Sequence, residues 1–198
     1  MKPQSLFRLM LAALATAALS AGPAEAHVID AGGNFMSGLT HPFGGIDHVL
    51  AMVAVGLWAA HLGGRARWLV PASFVTMMAL SGAAAMAGLD MPYIETGIAL
   101  SVVALGALIF TRARLPVALG MAVVGGFAVF HGLAHGLEVP TLAGLGYGLG
   151  FVLATAALHG LGLGAGLMMM RREGGLAIPL ARIGGGATAA AGLVLMAL

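Results

Sequence analysis

Six long apolar stretches, residues 45–63, 68–89, 92–111, 115–136, 142–170 and 176–198, fill most of this chain, and only short connectors separate them. A helix needs about 20 mostly apolar residues to cross a bilayer, and each stretch is about that long. Little polar sequence remains to form the skin of a soluble fold. Of the 198 residues, 60% are hydrophobic and 8% charged, where an ordinary soluble domain carries about 25% charged residues. The expected fold class is all-α: a polytopic membrane protein of six transmembrane helices, with the lipid bilayer as its first partner.

Lys2 and Arg8 precede an apolar run at 9–19, and Ala24-Glu25-Ala26 follows it. Charged, apolar and small-residue zones in that order make a secretory signal peptide, and the run is too short to span. Cleavage after Ala26 divides the chain into a signal peptide (1–26) and a transmembrane domain (27–198) that begins at His27. The connectors then separate by charge. Arg65 and Arg67, Arg112 and Arg114, and Arg171 and Arg172 follow the first, third and fifth stretches, while Asp90 and Glu138 follow the second and fourth. By the positive-inside rule the arginine connectors are cytoplasmic, so both mature termini face the periplasm of a bacterial inner membrane, as a cleaved signal also requires. Trp68 and Tyr93 fall at span ends, where amphipathic rings favour the interface, and Pro71, Pro92, Pro116 and Pro179 fall in first turns. In the fifth stretch Gly144/Gly148, Gly146/Gly150, Gly160/Gly164 and Gly162/Gly166 are spaced for close helix packing.

The absences narrow the chemistry. There is no cysteine, hence no disulfide, thiolate site or cysteine nucleophile. Lys2 is the sole lysine, which excludes a GxxxxGK phosphate loop and a lysine Schiff base. The net charge of +2 rests on few groups, and no basic cluster interleaves with aromatics, so nucleic acid is not an expected partner.

Against this background the ionisable residues inside the apolar stretches stand out, because each costs about 2.5 to 3.5 kcal/mol at mid-bilayer unless a cavity or partner receives it. They gather toward the periplasmic side: His41, Asp47 and His48 at the entrance to the first span, Glu95 just inside the third, and His131, His135 and Glu138 at the end of the fourth. On a helix His131 and His135 are one turn apart, and Glu138 joins their stripe if the helix continues that far. A helix starting at Pro42 would also bring His41 and His48 nearly into line. Neutral imidazoles with carboxylates suit nickel, cobalt, zinc, iron or copper and suit magnesium or calcium poorly. Asp47 or Glu138 can instead hold the far ring nitrogen of a histidine. His48 and His135 are expected to act on one ion. At the new terminus, the amine and the His27 imidazole make a two-nitrogen chelate at the mouth. His61, near Arg65, reads as an interhelical hydrogen-bonder, Met52 as a gap filler, and Arg182 as a residue reaching the cytoplasmic interface. His159, deep in the fifth stretch, reads either as an exit-path ligand or as a structural donor.

The run His41-Pro42-Phe43-Gly44-Gly45-Ile46-Asp47-His48, continuing through Leu50 to Ala59, then Glu95 with Ser101, and Phe130-His131-Gly132-Leu133-Ala134-His135-Gly136-Leu137-Glu138, resembles the HupE/UreJ family of hydrogenase and urease accessory membrane proteins over nearly the whole chain. A mature start at His27 resembles the family as well. The resemblance implies a nickel or cobalt permease, with metal residues at His41, Asp47, His48, Glu95, His131, His135 and Glu138, and urease or hydrogenase maturation proteins as partners. It implies Ni2+ or Co2+ as cargo, no permanently bound cofactor and no enzymatic activity. Family members often have a further histidine where this chain has Leu133. A membrane-embedded metal-dependent hydrolase could use the same residues, with a carboxylate as base, but the short periplasmic loops leave no substrate domain. A haem bundle fits less well, since axial ligands must face each other across a ring.

Overall fold

The computed structural model describes residues 34–139, 145–171 and 177–198. The expected signal peptide and His27 lie outside them. The elements are α1 (Phe35–Thr40), a 3-10 turn (His41–Phe43), α2 (Ile46–Leu62), α3 (Ala66–Met86), α4 (Ile94–Thr111), α5 (Val117–Glu138), α6 (Leu145–Met170) and α7 (Ala177–Leu195). No strand occurs among the described residues. Helices α3 to α7 contain spans long and apolar enough to cross a membrane, and the bent pair Phe35–Phe43 with Ile46–Leu62 supplies a sixth. The chain is a multi-pass α-helical membrane protein.

The boundaries fall within a few residues of the apolar stretches, with one correction at the first span. It is broken: α1 and the 3-10 turn meet α2 at 85°. Pro42 sits at the start of the 3-10 turn, and Gly45 caps α2 in an extended conformation, φ −114 and ψ 124. His41 and His48 therefore do not share a helical stripe. Irregular backbone at this depth is tolerated only where protein buries it or a cavity hydrates it, and here α6 packs along α1 and the turn. Pro71 is a second correction. It lies inside α3, past the first turn.

Small residues set the closest approaches. A Cβ on Gly132 or Gly136 of α5 would strike the backbone of α3 around Met78 and Gly82, so these two helices lie almost backbone to backbone. Gly56 of α2 meets the His159 carbonyl of α6, and Gly162 meets the Val53 carbonyl in return. The expected α6 pairs resolve into one working stripe: Gly146, Gly150, Gly162 and Gly166 face α1 or α2, whereas Gly148, Gly160 and Gly164 face open space. The buried core centres on α2, with Trp58, Val55 and Met52 fully enclosed. The indole N–H of Trp58 donates to the Ala113 carbonyl at 3.0 Å, and His61 Nε2 donates to the Arg112 carbonyl at 3.0 Å. Both bonds satisfy carbonyls that the end of α4 leaves without helical partners, which is the structural role expected for His61.

Candidate functional site

The break in the first span places the 3-10 turn over the last turns of α5. His41 Nε2 lies 2.9 Å from His135 Nδ1 and 3.2 Å from Glu138 Oε2, and His135 Nδ1 is 3.5 Å from the same oxygen. One ligand atom from each residue lies within 4.8 Å of the others. Helix α5 does run to Glu138, so His131, His135 and Glu138 occupy one stripe. Two imidazoles and a carboxylate converging this closely could hold a borderline transition metal.

Beyond this trio the rings continue inward in contact. The His135 ring centroid is 4.3 Å from that of His48, which is 5.0 Å from that of His131. Exposure is highest at the outer end and lowest at the inner end. The Glu138 side chain is 35% exposed, His41 17%, His135 8% and His48 11%, and His131 is fully buried. The row thus starts at a mouth and ends in the core.

Hydrogen bonding fixes what each ring presents. Asp47 Oδ1 accepts from His48 Nδ1–H at 2.7 Å and from the His48 backbone N–H at 2.8 Å. His48 Nε2 is left as a bare lone pair. Gly45 makes room for this pair, since a Cβ there would stand 2.5 Å from Asp47 Oδ1 and 2.8 Å from His48 Nδ1. Ser101 of α4 fixes His131 by a different route. Its hydroxyl has one proton, which it donates to the Ile98 carbonyl at 2.6 Å, so toward His131 Nε2 at 3.0 Å it can only accept. His131 therefore carries its proton on Nε2 and a bare Nδ1. His48 Nε2, His131 Nδ1 and His135 Nε2 are all buried with no hydrogen-bond partner among the described residues. Buried polar atoms are normally paired, and unpaired ones call for an explanation. Here three lie on rings in mutual contact, as ligand atoms awaiting a partner would.

The structure brings together His41, His48, His131, His135 and Glu138, with Asp47 holding His48. Glu95 stands apart. It lies exposed in the first turn of α4 and makes no hydrogen bond or salt bridge among the described residues, though it is within electrostatic range of Asp47, His48 and Glu138. Reading by residue type singled out His159 on α6 but overlooked the wall it belongs to. Tyr147, Phe151, Thr155 and His159 recur every four residues and are all buried, with the Phe151 ring 4.3 Å from that of His135. That period was legible in the sequence but masked by the surrounding glycines and leucines. Ser101 is quoted in the family motif, yet its role is visible only beside His131.

Ser101→Ala removes the acceptor that holds the His131 proton on Nε2. Cobalt binding by the detergent-solubilised variant is expected to weaken by roughly 10- to 100-fold, the usual effect of losing a group that orients a histidine ligand, with unchanged protein level. Normal binding would show that this orientation does not matter.

Fold and cluster together define a class: a multi-pass helical membrane protein whose first span is broken at a buried row of histidines and carboxylates. The family profile described as HupE / UreJ protein matches residues 14–195. Protein HupE of Rhizobium leguminosarum bv. viciae is 44% identical over 187 residues, 94% of each chain. No solved structure matches. The chain belongs to the HupE/UreJ family.

Proposed function

We propose that this protein carries a divalent transition metal ion, nickel or cobalt, across the bacterial inner membrane and supplies hydrogenase or urease maturation. The observation that carries this reading is the row of rings from His41 to His131, which runs from a half-buried mouth to full burial and leaves one ring nitrogen without a hydrogen-bond partner on each of His135, His48 and His131. His41, His135 and Glu138 capture the ion and displace part of its water. His48 and His131 then receive it from His135. The steps offer few donors each, so the ion is held weakly enough to leave again, as permeation requires. With the arginine connectors cytoplasmic and a signal peptide removed after Ala26, the mouth faces the periplasm, where the His27 imidazole and amine add a chelate. An inside-negative potential then favours entry by about 2.3 kcal/mol per charge per 100 mV, and by roughly twice that for a dication. A hydrolase would need three ligands about one open position and a water; it has no use for further bare imidazoles below them. The protein is therefore a carrier with no resident cofactor and no catalytic step.

Uptake by proteoliposomes under an imposed inside-negative potential tests this reading. Saturable entry of radiolabelled nickel, displaced by cobalt more effectively than by zinc, is the expected result. Uptake no greater than in protein-free vesicles would end the transport reading. N-terminal sequencing of the membrane-extracted protein should begin at His27, and retention of Met1 would reverse the assigned processing.

A further inference from the structure

The row of rings does not stop at His131. On its inner side lies Phe74 of α3, fully buried, with its ring centroid 5.3 Å from that of His131. The same Phe74 ring packs edge-on against His159 of α6, with centroids 5.0 Å apart. His159 is 3% exposed, and its Nδ1–H donates to the Met52 carbonyl at 2.8 Å. That bond alone would suffice for a histidine that only ties α6 to α2. The other nitrogen, Nε2, is buried with no hydrogen-bond partner among the described residues. A purely structural imidazole gains nothing from a bare lone pair in apolar surroundings, and desolvating it is a cost. The Met52 bond also fixes which nitrogen is bare, just as Asp47 does for His48 and Ser101 for His131.

Helix α6 carries the line further. Gly166, two turns beyond His159, lines a cavity of about 250 Å³ together with His61, Arg112, Met169 and Met170, at the end of the bundle that bears the arginines. Along α6, His159 lies between Phe151, which packs on His135, and Gly166 at that cavity, and the Phe74 ring touches both His159 and His131.

We propose that His159 is an inner station of the ion path, taking a divalent transition metal ion from His131 when the Phe74 ring between them swings aside. The inference rests on the transport reading above. Phe74 acts as an apolar constriction that keeps the two halves of the path apart while its ring is in place, as hydrophobic gates do in channels.

Two substitutions separate a ligand from a structural role. In His159→Asn the side-chain amide can take the position of Nδ1 and keep the Met52 bond, but nothing reaches the position of Nε2. In His159→Gln the longer amide reaches the Nε2 position with an oxygen and abandons the Met52 bond. If Nε2 is a ligand, cobalt uptake by proteoliposomes should fall at least about tenfold in His159→Asn and less in His159→Gln. If the Met52 bond is what matters, the order reverses. Cobalt binding at the mouth, followed by visible absorption of the detergent-solubilised protein, should be unchanged in both. Phe74→Leu should raise uptake severalfold, and should fail to do so when combined with His159→Asn. Reversed order, wild-type uptake in His159→Asn, or equal acceleration by Phe74→Leu with and without His159 would each overturn the proposal while leaving transport intact. Wild-type vesicles that bind cobalt but take up none would overturn the transport reading, and this inference with it.

Discussion

His135→Ala is expected to reduce saturable metal uptake by about 100-fold or more, since replacing even a group that merely orients a metal ligand costs roughly 10- to 100-fold. His135 is the one ring that faces both ways. Its Nδ1 meets His41 and Glu138 at the mouth, its Nε2 is buried with no hydrogen-bond partner among the described residues, and its ring centroid is 4.3 Å from that of His48. On the transport reading, removing it interrupts the row between mouth and core. His48→Ala should cost a similar amount, and the double replacement little more than either, because groups that serve one transfer are not additive. His61→Ala is the control. Its Nε2 is taken up by the Arg112 carbonyl, and although the ring borders the inner cavity it offers no buried unpartnered nitrogen there, so uptake should persist at a level set by the amount of protein in the membrane. Radiolabelled nickel uptake, normalised to membrane protein measured by immunoblot, checks all four. Wild-type uptake by His48→Ala and His135→Ala would mean that the histidine row is structural.

Gly132→Val is expected to remove most of the folded protein from the membrane. A Cβ on Gly132 would collide with the Ser81 hydroxyl and the Met78 carbonyl, both on α3. Backbone cannot give way as the tip of a side chain can, so α3 and α5 must separate along their whole contact. Overpacking of this kind typically costs about 1–3 kcal/mol, occasionally more, and in lipid the lost close packing is itself the main force between helices. The effect should appear as loss of protein and of thermal stability in detergent. Gly164→Ala, at a position open within 4 Å, should be tolerated. A normal level of Gly132→Val would show that the two helices can be spaced differently.

How legible this was in the sequence differs from residue to residue. The spans were readable because lipid demands a long apolar run with every backbone group paired internally, and α3 to α7 begin and end within a few residues of the apolar stretches. The break before Ile46 was not readable, although Pro42, Gly44 and Gly45 were in view. The same residues can open a straight helix, and only the docking of α6 against α1 decides that they do not. The stripe His131, His135, Glu138 followed from the 3.6-residue period alone. Ser101 could not be found that way, because its partner is 30 residues distant in sequence and belongs to another helix.

For this chain, then, local patterns determined the fold class, the places of the apolar spans and the residue types available to a metal, because burial in lipid acts on each segment separately. Which histidines touch, which nitrogen of each is bare, and that His41 reaches His135 from across a bend depend on how the helices pack against one another. Those choices are made by glycine contacts and single hydrogen bonds between distant segments, such as Ser101 with His131 and His159 with the Met52 carbonyl, and no periodicity in one segment encodes the position of another.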